Sequence, residues 1–377
     1  MDSIMNVPFG RAMALGAVPV LLALGASSAL AEPASGSPPP KVFEAQSVSF
    51  VSAKTGFVLG TRSCSTLPCA ALLEKTVNGG TSWTSVHVPA VSLVPTFTAS
   101  PASAVSSVRF ENRNDGWLFG PGLWATANGG KHWRRVRAVP GEIIDLAVSD
   151  GEVFVSTEPA GGSLDQARLY ESRVGSGKWT LVPKVAPLNL VTVFGHSVWA
   201  GSANGVEPSF WTSTDSGKHW SRLSFHCPKV AVTASAVAAA SASDVAIACS
   251  DQGYPQPGLS VKEVFTSANG GHTFHLAAGT PPEAGQVYGL AMPPGNSKVI
   301  TINAASGASY FYESANGGKT WKSEEYLDAG LGFNDLAYVS ATTGYVIHFL
   351  GTPVIATSDG LLKTTNAGKT WKQVTIG

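Results

Sequence analysis

Charge is scarce in this sequence. Lys plus Arg and Asp plus Glu number 25 each among 377 residues, and charged residues make up only 13% of the chain. Such a balance leaves no electrostatic footprint for nucleic acid and no basic stripe for an anionic membrane surface. The eight histidines and four cysteines show no HxxxH, HExxH or Cys-x-x-Cys ligand spacing. No Gly-x-Ser-x-Gly nucleophile elbow occurs, and Gly175-Ser176-Gly177-Lys178 lacks the full spacing of a phosphate loop. No cofactor or metal site is therefore expected. After residue 31 no apolar run is long enough to span a bilayer.

Residues 12–31 are mostly apolar and end in Ala29-Leu30-Ala31, the small-x-small pattern of a signal peptidase site, with Arg11 as a basic flank. An exported protein with a signal peptide at 1–31 is the expectation; a tether formed by the same uncleaved segment is the alternative. Residues 32–40 read as a Pro/Ser/Gly linker, and 41–377 as one repeat array.

The array is marked by one eight-residue pattern: a hydroxyl residue, any residue, Asn or Asp, any residue, Gly, any two residues, then an aromatic. It runs from Thr76 to Trp83, Thr126 to Trp133, Ser213 to Trp220, Ser267 to Phe274, Ser314 to Trp321 and Thr364 to Trp371. A worn seventh copy, Ser172 to Trp179, carries Val174 in place of the Asn and Ser176 in place of the Gly. The residues at fixed places are Asn78, Gly80 and Trp83; Asn128, Gly130 and Trp133; Asp215, Gly217 and Trp220; Asn269, Gly271 and Phe274; Asn316, Gly318 and Trp321; and Asn366, Gly368 and Trp371. Asn or Asp is expected to bond backbone amides two residues on, Gly supplies positive φ, and the aromatic is suited to packing between sheets. Each copy reads as a structural hairpin, not a site. His132, His219 and His272, in the slot before the aromatic, are expected as solvated turn residues on separate units.

These copies resemble the Asp-box, or BNR repeat, found in sialidases, xyloglucan-cleaving propeller hydrolases, the sortilin ectodomain and the photosystem II assembly propellers. The resemblance implies a propeller, and for the last two relatives it implies partner docking rather than turnover. The sialidase pattern is incomplete. No Arg-Ile-Pro segment is present, Arg62, Arg109 and Arg168 make no evident triad, and Tyr288, Tyr310, Tyr312 and Tyr326 have no clear partner.

Each unit also shows alternating strands around its hairpin, as in Ser47 to Val51, Gly56 to Gly60, Ser107 to Phe110 and Gly116 to Gly120. Four antiparallel strands repeated seven times make an all-β, seven-bladed β-propeller. Six blades plus an insert is the alternative count, because Leu190 to Gly201 compresses the fourth unit. The chain starts near a first strand and ends in a fourth, so every blade is expected to be contiguous, with Lys41 to Ala45 as a possible outer strand on the last blade.

Antiparallel order puts the hairpin motifs on one face and the long, variable loops on the other, where binding residues concentrate. The cysteines fall on the variable face; Cys64 and Cys69 share one loop, and Cys227 and Cys249 form the natural second pair. Asp145 and Asp335 enter the first strands of the third and seventh units, where each is expected to cap backbone amides; acid/base work across the channel is the alternative that makes them the catalytic candidates. Arg62, Arg168, Asp251, Tyr254 and Glu283 are the binding candidates of the same face. The expected function is a non-catalytic, monomeric scaffold for a protein or glycan partner, with a glycoside hydrolase as the alternative. Nucleic acid is not expected as a partner, nor a membrane beyond the export signal.

Overall fold

A computed structural model describes residues 42–62, 69–93, 102–162, 166–182, 190–201, 209–228, 231, 233–251, 258–326, 332–348 and 360–377. Residues 1–40, with the expected export signal and linker, and Cys64 and Tyr254 lie outside them. Among the described residues there is no α-helix, and the strands form seven four-stranded antiparallel sheets beside one small two-stranded sheet.

Each four-stranded sheet is contiguous in sequence and keeps its strands in chain order. The first strands are Phe43–Phe50, Ser107–Phe110, Glu142–Ser149, Leu190–Phe194, Thr233–Ala239, Gln286–Ala291 and Phe333–Tyr338. Each touches the next, and the seventh touches the first. The first strands therefore surround a common axis, and the chain is a seven-bladed propeller. The compressed fourth unit is a complete blade, built from Leu190–Phe194, Ser197–Gly201, Phe210–Ser213 and Ser221–Leu223.

The second strands explain the packing. Side chains alternate across a strand, yet Phe57, Val58 and Leu59 are all fully buried. Phe57 and Leu59 join an apolar cluster with the second blade, and Val58 joins one with the seventh. One such cluster fills each of the seven blade interfaces. Aromatic rings at the ends of first strands lie flat over second-strand glycines; a Cβ at Gly56 would stand 2.4 Å from the Phe50 ring.

The expectation for Lys41 to Ala45 is corrected. Phe43–Phe50 is one strand, innermost in the first blade, paired from Phe43↔Arg62 to Phe50↔Gly56 with a bulge between Ala45 and Ser47. Burial decides this: Phe43 is 1% exposed and packs with Val58 and Ile347, whereas the outer edge of the last blade, Lys372–Gln373, is exposed. Among the described residues no strand is shared across the closure. Side chains close it instead: Phe50 stacks on Tyr345 at 3.5 Å, Lys363 Nζ donates to Gly79 O at 2.8 Å, and Trp83 Nε1 donates to Thr375 O at 3.1 Å.

The motif geometry departs from expectation in one respect. In all six regular copies the Asn or Asp Oδ1 accepts from the backbone amide four residues on, not two, at 2.9–3.0 Å. The leading hydroxyl accepts from the amide of the later Gly at 2.8–3.0 Å. Successive left-handed residues, Gly79 at φ 73° and Gly80 at φ 92°, curl the chain so that the fourth amide faces the Asn side chain.

Candidate binding site at the channel mouth

The ring of first strands sets residues from different blades against one another. Arg109 (second blade) reaches past the first blade to Asp335 (seventh blade), with Nη2 2.6 Å from Oδ1. Asp335 Oδ2 accepts from Val48 N at 2.9 Å and from the Ser47 hydroxyl, both on the first blade. Ser47 Oγ in turn accepts from Val108 N at 2.9 Å. Three blades are thus stitched through one carboxylate and one hydroxyl. Asp335 stands at the irregular register between Asn334 and Ala337 with φ 54°, a left-handed backbone that Asp tolerates better than most residues.

Asp145 lies on the other side of Arg109, in the third blade. Its Oδ1 accepts from Leu146 N at 2.8 Å and its Oδ2 from Val191 N, on the fourth blade, at 3.3 Å. Burial lifts its carboxyl to about 6, against the pull of Arg109 and the two amides, while Asp335 adds a smaller push upward. Burial opposes the Arg109 charge, but Asp335 and Asp145 together hold the guanidinium well protonated. Arg109 keeps 29% side-chain exposure and Asp335 12%, so the arginine faces the channel between two acids. Around the same inner ring Tyr288, in the bulge between Val287 and Gly289, is 51% exposed.

The other candidates do not converge here. Arg62 bonds Glu74 Oε1 at 3.1 Å and the terminal carbonyl of Gly377. Arg168 donates to Gln166 O at 3.0 Å and Ala167 O at 2.9 Å. Arg62, Arg109 and Arg168 are engaged separately. Asp251 and Glu283 instead both act on Lys262, a fully buried lysine that sequence reasoning passed over. Its Nζ donates to Ser260 O at 2.9 Å and Pro282 O at 3.0 Å and sits 5.3 Å from the Tyr312 ring centre. Burial lowers this lysine to about 8, with Asp251 and Glu283 working in the other direction. The arrangement ties the fifth blade to the sixth.

Cys227 and Cys249 form a disulfide, and Cys69 is disulfide-bonded as well. His132, His219 and His272 are exposed, and His219 Nδ1 lies 2.5 Å from Asp215 Oδ2. Among the described residues no group of three or more His, Cys, Asp or Glu is arranged to hold a metal ion. No helix among them is long and apolar enough to cross a membrane.

No family model matches the chain, and no curated protein matches it. Solved structures do. The chain is similar to a structure described as YCF48 bound to D1 peptide, at 18% identity and TM-score 0.55 over 87% of this chain and 94% of that one. It is similar to YCF48 from Cyanidioschyzon merolae at 17% identity and TM-score 0.55, covering 88% and 98%. An ancestral GH74 enzyme matches at 14% identity and TM-score 0.52, over 88% of this chain and 44% of that one. At these identities the likeness is one of fold.

Proposed function

We propose that the chain is an exported, non-catalytic propeller of the Asp-box kind that docks a protein partner on its variable-loop face, around the channel mouth. The observation that carries this reading is the engagement of both channel acids. Asp335 is occupied by Ser47, Val48 and Arg109, and Asp145 by two amides. A general acid or base needs a carboxylate within reach of a substrate proton, and these carboxylates spend their lone pairs holding blades together. What they present to the channel is a rigid guanidinium at Arg109, suited to an acidic or carbonyl-bearing group of a docked segment.

The peptide-bound propeller of the same fold supports the same class of partner. The Cys227–Cys249 disulfide supports an oxidising compartment, in keeping with the export signal read at residues 1–31. Panning the purified protein against a displayed peptide library, alongside a glycan array, tests the reading. Peptides selected by the wild type and lost with Arg109→Ala are expected. Selection of neutral glycans alone, unchanged in that variant, would refute it.

A further inference from the structure

The worn hairpin motif lacks a bond that three of the regular ones make. Trp83, Trp133 and Trp321 each donate Nε1 to a carbonyl just past the fourth strand of the preceding blade, at 3.1, 2.8 and 3.1 Å. In the third blade Trp179 Nε1 is buried and has no partner. Trp220 Nε1, in a regular copy, is likewise buried without a partner, and Trp371 donates instead to Glu313 Oε1 at 2.9 Å. Val174 offers no side-chain acceptor, and Ser176 meets Ser172 Oγ at 3.1 Å while its own Oγ accepts from Lys178 N at 3.2 Å. The turn is held by serines, and the indole does not latch onto the second blade.

A groove of about 320 Å³ opens at this seam. Trp133 and Trp179 line it with Arg134, His132, Asn128 and Asp115. Arg134 lies beside the worn turn, its Nη2 3.2 Å from where a Cβ on Gly177 would stand. Among the described ion pairs none engages Arg134. Asp115 gives one oxygen to Asn112 Nδ2 at 2.9 Å. The groove sits in the run Lys131-His132-Trp133-Arg134-Arg135-Val136-Arg137, a local concentration of positive charge in a chain of zero net charge.

We propose that this groove binds a carboxylated saccharide, a short uronic-acid oligomer. The volume suits one or two sugar rings and falls at the small end of ligand pockets. Two indoles offer apolar surface for the C–H face of a ring. Arg134 matches a carboxylate with a forked pair of donors, Asp115 takes hydroxyl protons, and Asn128, whose Oδ1 already accepts from Thr126 and His132 N, donates through Nδ2. An extended peptide fits less well, because pairing with a sheet edge gives such ligands their affinity, and the outer strands here, Arg134–Arg135 and Thr180–Leu181, are two residues each. The site lies at the hairpin-motif side and is independent of the channel mouth.

The test is calorimetric titration of the purified protein with tetragalacturonate, maltotetraose and an acidic decapeptide, on the wild type and three variants. Tetragalacturonate is expected to bind and maltotetraose not; decapeptide binding, which belongs to the channel mouth, is expected to be unchanged by Arg134→Ala. For tetragalacturonate, Arg134→Ala is expected to weaken binding more than tenfold and Trp179→Ala, which removes one apolar ring face, about tenfold. Circular dichroism confirms folding, and Arg134→Lys, which keeps the charge but not the fork, replaces the alanine variant if that one unfolds. No binding at about 10 mM, a range in which even millimolar affinities register, would overturn the proposal. So would tetragalacturonate binding unchanged in Arg134→Ala, or decapeptide binding that is lost in Arg134→Ala and kept in Arg109→Ala.

Discussion

Removing the carboxylate of Asp335 attacks the ring where its closure has no shared strand. Asp335→Ala deletes the acceptor for Val48 N and the Ser47 hydroxyl and leaves Arg109 without its ion-pair partner. Breaking a buried pair by deleting one member costs about 3–5 kcal/mol. The 29% exposure of Arg109 lets channel water screen the remaining charge and puts this case at the low end, about 3 kcal/mol. The stranded Val48 amide adds about 1 kcal/mol. Unfolding entropy of roughly 2 cal/mol/K per residue, over roughly 335 residues, converts a total of about 4 kcal/mol into a fall of about 5–6 °C. Differential scanning calorimetry at neutral pH measures it. Arg109→Met alone is expected to cost less, and the double variant Arg109→Met with Asp335→Ala less than the sum of the two, because the uncompensated charge is gone. A fall of under about 1.5 °C for Asp335→Ala, or strict additivity in the cycle, corresponds to less than about 1 kcal/mol and would refute the claim that this carboxylate joins three blades.

Three further outcomes follow from the same structure. Asp145, lifted to about 6 by burial, makes stability fall as pH rises from about 4 through 6, because the folded form holds a proton that the unfolded form has already lost. The fall amounts to at most about 3 kcal/mol, and the pH dependence of the urea midpoint should flatten in Asp145→Asn; an unchanged slope would contradict the assignment. Replacing Cys227 and Cys249 together by Ala opens a cross-link with a sequence separation of 22. By chain entropy that costs about 3 kcal/mol, read as a lower melting temperature, with the wild type under reductant falling further because the disulfide of Cys69 opens as well. Asn78→Ala removes the acceptor for Ser82 N and should cost about 1–2 kcal/mol, whereas Val174→Ala, at the worn copy, should change the melting temperature little.

The fold is legible in the sequence because its signals are local. A hairpin every few dozen residues, with Gly at a left-handed position and a closing aromatic, specifies the third and fourth strands of a blade wherever it occurs, and seven copies specify the ring. The place of Phe43 to Ala45 is not legible in the same way, because alternation identifies a strand but not its partner; the burial of Phe43 against Ile347, some three hundred residues away in sequence, decides that.

The candidate site is half legible. Asp145 and Asp335 stand out as acids in first strands. Arg109 makes no evident triad in the linear order because it lies in a first strand, which is what brings it between the two acids once the strands circle an axis. Asp251 and Glu283 are recognisable as loop acids, but their relation to Lys262 depends on how two blades abut. At the worn motif the substitutions Val174 and Ser176 signal a distorted turn. Nothing in the linear order shows that Trp133 and Trp179 line one groove beside Arg134.

The central claim is that the channel acids fix the ring in place for docking and do no chemistry. Turnover of a broad panel of fluorogenic glycosides by the purified protein tests it most directly. The account predicts no hydrolysis above the rate of the solvent, for the wild type and for Asp145→Asn alike. Hydrolysis by the wild type that is lost in Asp145→Asn or Asp335→Asn, with both variants folded, would contradict it.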